Sequence, residues 1–290
     1  MIRKIVVYRK INRVTATDIE LLNAKGYSTE TTKKGYWRQF QYFRKNKFDV
    51  YYLWFCNIYG VIPYIFARIN KSKFVIFAGG YDACAITKLG YGVFLKNNIR
   101  TKIIKYLYNH ADKVICPSQD LKDKLSKFVY CDIDVIHLAV DSEYFTPQRI
   151  ERDIDYLTIA NTPDSKTFYR KNIEQFFDMA WSMLEYSFVW VGRQVIKPYI
   201  IPPNMMIIED VSDKKLFELL NRSTHYCQFS LYESFGYSVL EAMSMGCIPI
   251  VSDVGMMKKI AGDSKTHEEA RQRVVRMFSI EKRKKLINNL

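Results

Sequence analysis

The chain has 290 residues, 48% hydrophobic and 26% charged, which suits two domains of ordinary size and excludes an intrinsically disordered protein. The net charge of +14 is uneven: residues 1–148 hold 24 Lys and Arg against 12 Asp and Glu, and residues 149–290 hold 20 against 18. A basic first half implies an anionic partner, whether a membrane surface, a nucleic acid or an anionic glycan.

The longest apolar run, Val50 to Phe66, is interrupted by Asn57, Gly60 and Pro63, too broken to span a bilayer. The N-terminus, Met1-Ile2-Arg3-Lys4-Ile5-Val6-Val7-Tyr8, starts directly as a strand and lacks a signal peptide's apolar core and cleavage site. The expected location is therefore the cytoplasm. Cysteines 56, 84, 116, 131, 227 and 247 form no C-x-x-C pair, and several lie in apolar runs, so buried free thiols are expected. Histidines 110, 137, 225 and 267 show no metal-ligand spacing, and no metal is expected.

In chain order, apolar runs predict strands over 2–8, 49–55, 73–78, 113–117 and 133–137. Helices are predicted between them over 15–25, 36–46, 57–69, 98–110 and 118–127. Gly26 closes the first helix, and Ser118 is placed to cap the last. The second half restarts in the same style, with strands over 154–160, 187–192, 205–209, 225–230 and 248–252. Its helices are expected at 172–184, 213–221, 236–245, 267–278 and 280–288, with Ser212 as one cap and Thr266 with Glu269 as a capping box. Alternating strand and helix means parallel sheets covered by helices. Two such doubly wound units imply domains 1–148 and 149–290, facing a cleft, with the last helices packing back on the first domain. The boundary is expected near Thr146-Pro147-Gln148-Arg149, and ligands at the carboxyl ends of strands.

The most informative stretch runs from Tyr232 to Ser252 and reads as loop, helix, turn and buried strand. Glu233 lies in the loop, and Glu241 lies in the helix after seven intervening residues. A loop ending at a helix N-terminus offers free N–H groups and a positive dipole end to a phosphate. Taken alone, Ser238, Glu241 and Ser244 are spaced as a polar stripe that faces water.

The complete string Glu233-Ser234-Phe235-Gly236 through Glu241-Ala242-Met243-Ser244-Met245-Gly246-Cys247-Pro249 closely resembles the E-x7-E motif of retaining GT-B glycosyltransferases, in particular glycosyltransferase family 4. Ala111 to Ser118 and Val135 to Pro147 are similar to two further segments of that family, although His137, Leu138 and Ala139 replace its Pro-Asn-Gly. The resemblance implies an α/β GT-B fold of two Rossmann-like doubly wound parallel-sheet domains, with the acceptor on the first and a nucleotide-sugar donor on the second.

It also implies roles. Glu233 and Lys171 are candidate catalytic groups, with Asp82 from the first half. Glu241 would hold the donor ribose, and Phe235, Gly236, Tyr237 and Ser238 would line the donor site. Arg170-Lys171-Asn172 resembles the family's diphosphate-binding turn. The family's arginine after the preceding strand is missing from Ile159-Ala160-Asn161-Thr162, and Lys166 or Arg170 would replace its charge. Arg193, after Val191-Gly192, is a further donor contact. Phe77-Ala78-Gly79-Gly80-Tyr81-Asp82 falls where relatives carry H-G-x-D, with Gly79 in place of the histidine. Gly79 and Gly80 permit close approach of a ligand. Arg9, Asn12 and Arg13 stand where relatives have a glycine-rich loop, and are candidates for a phosphate or anionic acceptor.

The expected activity is thus retaining, metal-independent transfer of a sugar to a glycan, a lipid-linked or a protein-linked acceptor, with no cofactor beyond the donor. Aromatic and basic residues alternate over Tyr36 to Lys47 and again over Tyr91 to Lys105, which suits peripheral docking on the inner face of an anionic membrane. The competing reading of the first segment is that Trp37, Phe40 and Phe43 pack into the core. Alternative functions are a nucleotide-sugar epimerase of similar architecture, a catalytically dead scaffold, or a basic nucleic-acid-binding protein. The last has no accompanying motif, and no nucleic acid is expected.

Overall fold

The structure is a computed structural model, and it describes residues 3–8, 13–24, 26–31, 35–193 and 200–287. The chain divides into two compact units: Met1–Leu138 with Lys284–Leu290, and Ala139–Arg283.

The first unit runs β1 (Arg3–Tyr8), α1 (Arg13–Ala24), β2 (Tyr27–Thr31), α2 (Tyr36–Lys45), β3 (Val50–Trp54), α3 (Val61–Ile69), β4 (Lys73–Phe77), α4 (Ile99–Asn109), β5 (Lys113–Cys116), α5 (Gln119–Leu125) and β6 (Ile133–Val135). The six strands form one parallel sheet in the order β2-β1-β3-β4-β5-β6. Every residue of β3 is buried, as are Phe74 to Phe77 of β4, which is why both read as continuous apolar runs. Ser118 caps α5 by accepting from Leu121 N at 3.1 Å. The helix expected over 57–69 begins instead as a 3-10 turn at Ile58–Gly60. Strand β2 was not expected: Tyr27-Ser28-Thr29-Glu30-Thr31 is polar because it lies at the sheet edge.

The second unit runs β7 (Ile154–Ile159), α6 (Ser165–Lys171), α7 (Ile173–Ser182), β8 (Phe188–Val191), β9 (Met205–Ile208), α8 (Asp213–Arg222), β10 (Ser223–Gln228), α9 (Tyr237–Ser244), β11 (Ile248–Val251), α10 (Met257–Ala261), α11 (His267–Phe278) and the start of α12 (Ile280–Ile287), whose residues from Lys284 on are counted with the first unit. Its parallel sheet has the order β11-β10-β7-β8-β9. Crossovers therefore leave in opposite directions from β7 and β10, which are neighbours at the topological switch point. The core is aromatic, with Trp190 and Phe188 of β8 packed among Tyr156, Phe176 and Phe177. Thr266 and Glu269 form the expected capping box on α11, and Ser212 caps α8.

Three readings change. The long loop before α7 contains the helix α6, capped by Asp164, whose side chain accepts from Thr167 N at 2.7 Å. Helix α10 was not expected. The run Ile248–Val251 is a half-buried edge strand, which is where Pro249 is tolerated, since it has no N–H to offer a neighbour. All six cysteines are free, five of them buried and Cys131 half-buried.

Candidate active site

In the second unit the loops that follow β7 and β10 meet. Lys171, the last residue of α6, places Nζ 2.7 Å from Glu233 Oε2. Gln228, the last residue of β10, donates to the same oxygen at 3.3 Å. Ser238, in the first turn of α9, donates to Gln228 Oε1 at 2.8 Å. One chain of contacts thus joins strand end, loop and helix start.

Arg170 ties the loops at a second level. Its carbonyl accepts from Leu231 N at 2.8 Å, and its Nη1 donates to Tyr232 O at 3.3 Å. Burial works against the ionisation of Glu233, whose side chain is 21% exposed. The Lys171 charge, the hydrogen bond from Lys171 and the Arg170 charge outweigh it and hold the carboxyl below its ordinary range.

The loop backbone is held from beneath. Gly255 has φ +56°, and a Cβ there would stand 1.8 Å from the Glu233 carbonyl oxygen. Gly236, at φ +95°, turns the chain into α9. Helix α9 is unlike an ordinary surface helix. Glu241 is only 7% exposed, and Ser244 is fully buried with its hydroxyl donating to Phe145 O at 3.0 Å. The Ser238-Glu241-Ser244 stripe therefore does not face open water, which corrects the simplest reading of its spacing. Phe235 is buried and meets the Phe278 ring edge-on, and Tyr237 is half-buried.

The remaining second-unit candidates lie apart from the Lys171–Glu233 pair in their contacts. Lys166 is exposed in the first turn of α6, at the opposite end of that helix from Lys171. Arg193 is exposed beyond β8, and its backbone is fixed at the end of β7: Arg193 N donates to Asn161 Oδ1 at 2.8 Å, and Thr162 N donates to Arg193 O at 2.9 Å. The Asn161 side chain thus holds the turn after β8. Sequence reasoning missed Gln228, Gly255 and two buried hydroxyls at the same strand ends, Thr162 and Ser230, whose Oγ atoms meet no protein partner. A buried hydroxyl in that state costs free energy unless something else bonds it.

In the first unit, Asp82 is a hub. Oδ2 accepts from Cys56 N at 2.8 Å and Tyr108 OH at 2.9 Å, while Oδ1 accepts from Gly79 N at 3.1 Å and Gly80 N at 3.0 Å. Burial raises its pKa, and these four bonds pull the other way. The carboxylate therefore organises the loops beyond β3 and β4. Gly79 is needed for the protein's own packing, since a Cβ there would lie 1.6 Å from the Phe55 ring. A cavity of about 230 Å³ opens beside these loops, lined by Phe55, Asn57, Gly80, Tyr81, Tyr91 and Arg100 among others. Arg9 and Asn12 lie outside the described residues, and Arg13 opens α1.

The four histidines each place Nδ1 against a backbone carbonyl: His110 on Tyr106, His137 on Pro117, His225 on Asp155 and His267 on Gly246. Among the described residues no helix is long and apolar enough to cross a membrane.

No curated protein is significantly similar to this chain in sequence. Solved structures share the fold. A sucrose-phosphate synthase from Thermosynechococcus elongatus superposes with a TM-score of 0.75 at 13% identity, over 99% of this chain and 98% of that one. The lipopolysaccharide outer core galactosyltransferase WaaB gives 0.62 at 13% identity, over 99% and 98%. A UDP-GlcNAc 2-epimerase from Methanocaldococcus jannaschii gives 0.56 at 11% identity, over 100% and 99%. The fold is GT-B in type, with two Rossmann-like parallel-sheet units. Residues 170–288, which hold Lys171, Glu233 and Glu241, match the family model described as Glycosyl transferases group 1.

Proposed function

We propose that the protein is a retaining glycosyltransferase of family 4 type, which moves a sugar from a nucleotide-sugar to a glycan-bearing acceptor. The observation that supports this best is the Lys171–Glu233 pair between the loops after β7 and β10, the switch-point strands where such sheets take ligands. The match over residues 170–288 favours the same chemistry.

In this reading the donor lies on the second unit. Glu241 accepts from the two ribose hydroxyls, a task suited to two carboxylate oxygens. The diphosphate sits at the N-terminus of α9 and takes charge-assisted hydrogen bonds from Lys171 and Arg170. Glu233 turns to the donor sugar's hydroxyls. The ion pair is then a resting arrangement that the donor divides, phosphate to the lysine and hydroxyls to the glutamate. As the bond to the sugar breaks, charge grows on the leaving diphosphate, and Lys171 with the helix N–H groups stabilises it. Since these cationic groups can meet that charge, the reaction is proposed to need no metal.

The acceptor belongs to the first unit, where Asp82 shapes the loops beside the 230 Å³ cavity. The protein is proposed to be cytoplasmic and peripheral to the inner membrane face. A second reading, a nucleotide-sugar epimerase, draws on the shared fold of the Methanocaldococcus enzyme.

Thermal shifts over UDP-, GDP-, ADP- and dTDP-sugars identify the donor, because a ligand bound only by the native state raises the melting temperature. Proton NMR of the product then reads the anomeric configuration. Retention in a transferred product supports the proposal. An epimerised nucleotide-sugar formed without acceptor supports the second reading and overturns the first.

A further inference from the structure

Helix α2 does not bury its aromatic side chains as an ordinary amphipathic helix does. Gln39 and Phe43 face the core, whereas Trp37 is 71% exposed, and Tyr36 and Phe40 are exposed as well. Helix α3 adds exposed Ile65 and Ile69, the latter at 67%. The two helices pack together: Phe40 meets the buried Phe66 of α3 at 5.4 Å, and Tyr36 stacks at 4.8 Å on Tyr59 of the 3-10 turn that precedes α3. Exposed Arg38, Arg44 and Lys45 of α2 stand beside it. Exposed apolar side chains gathered on two packed helices form a patch that marks an interaction surface.

The Tyr36 end of the patch connects to the cavity. Asn57 lines the cavity, and its Oδ1 accepts from Tyr59 N at 2.8 Å. Arg100 lines the cavity as well. Arg100 thus shares the cavity lining with Asn57, which bonds Tyr59 beneath the Tyr36 ring, and with the polar loop of Gly80 and Tyr81. The cavity, at about 230 Å³, is smaller than a drug-sized site and admits a single ring. Its lining of Phe55, Tyr81 and Tyr91 with backbone from Gly80 suits a sugar, which has both an apolar face and hydroxyls.

We propose that the acceptor is a lipid-borne sugar phosphate, taken from an anionic bilayer by the first unit. The sugar enters the cavity, the anionic linkage meets the Arg100 guanidinium, and the lipid portion with its bilayer lies against Tyr36, Trp37, Phe40, Ile65 and Ile69. The basic side chains of α2 complement the surface of such a bilayer, and exposed aromatics suit its headgroup level. The word acceptor rests on the glycosyl-transfer reading above; the binding surface itself does not.

Tryptophan emission in the full-length chain tests the idea. Trp54 and Trp190 are buried, and Trp181→Phe removes the other exposed indole, so the change reports Trp37. Vesicles of phosphatidylcholine with phosphatidylglycerol should shift the emission to the blue, vesicles of phosphatidylcholine alone should not, and added salt should weaken the shift. Octyl glucosyl phosphate should bind about tenfold or more tightly than either octyl glucoside or glucose 1-phosphate, and Arg100→Gln should remove that preference. Arg100→Lys, which keeps the charge, should restore part of it. No emission shift with anionic vesicles, or equal binding of charged and neutral amphiphiles, overturns the proposal. Nucleotide-sugar binding is measured in the same preparation. If it is intact and the amphiphile preference is absent, this proposal alone fails; if it is absent and the preference is present, the transfer reading fails and the surface stands.

Discussion

Gly255 stands directly beneath Glu233: a Cβ at that position would come within 1.8 Å of the Glu233 carbonyl oxygen. The two belong to different connections, Glu233 to the loop before α9 and Gly255 to the turn after β11. The glutamate's position therefore depends on a glycine that offers no chemistry. Gly255→Ala should displace the loop, because backbone cannot yield as a side-chain tip does and the residue also has positive φ. The expected outcome is a loss of about 1–3 kcal/mol in urea unfolding together with a fall in turnover.

Lys171 sets the ionisation of Glu233. The folded carboxyl lies below its ordinary range, so the ionised pair adds stability that is present above the unfolded pKa. That stability is lost as pH falls through the folded value. Lys171→Met removes the main opposing influence and leaves burial, so the carboxyl should titrate at higher pH. A carbon-13 titration of Glu233 should show the move, and the acid limb of the stability curve should lose its Glu233 contribution. An unmoved titration would show that another group holds the charge.

Glu241→Ala should weaken nucleotide-sugar binding by about 1–3 kcal/mol, the scale of lost hydrogen bonds to a charged group. Calorimetry with the donor found by thermal shift gives the number. Unchanged affinity in a folded variant would remove Glu241 from the donor site.

Glu233→Gln separates turnover from nucleotide binding. It keeps the side chain's shape but discards the charge opposite Lys171. Affinity for the free nucleoside diphosphate should hold or rise, since the lysine is released, while the transfer rate should fall by about a hundredfold or more. Equal losses in both would place the residue on the nucleotide.

Asp82→Ala tests whether that carboxylate is an organiser. It would leave Tyr108 OH and the N–H groups of Cys56, Gly79 and Gly80 without their acceptor. The expected cost is about 3 kcal/mol, read from the urea midpoint. A stable variant with lost transfer would instead give Asp82 a direct part in the reaction.

Most strands and helices were legible along the chain because their causes are local. Apolar runs marked the buried parallel strands, and Ser118, Ser212 and Thr266 announced three helix starts by side chains that bond the next turn. The E-x7-E string singles out Glu233 and Glu241 in the same local way, as a loop residue and a residue of the helix that follows it. Elements with weak local causes escaped: β2 is polar because it is an edge, and α6 and α10 are too short to show a period. What folding alone supplied are distances between residues remote in sequence. Lys171 and Glu233, 62 residues apart, touch because β7 and β10 are neighbours in a sheet whose order differs from chain order. Burial was decided in the same way. The spacing of Ser238, Glu241 and Ser244 is the same for a wet stripe and a dry one, and only the packing around α9 distinguishes them. The aromatics of α2 were equally ambiguous, since helical spacing reveals that rings share a flank but not what covers it. Phe43 went to the core, and Trp37 stayed outside.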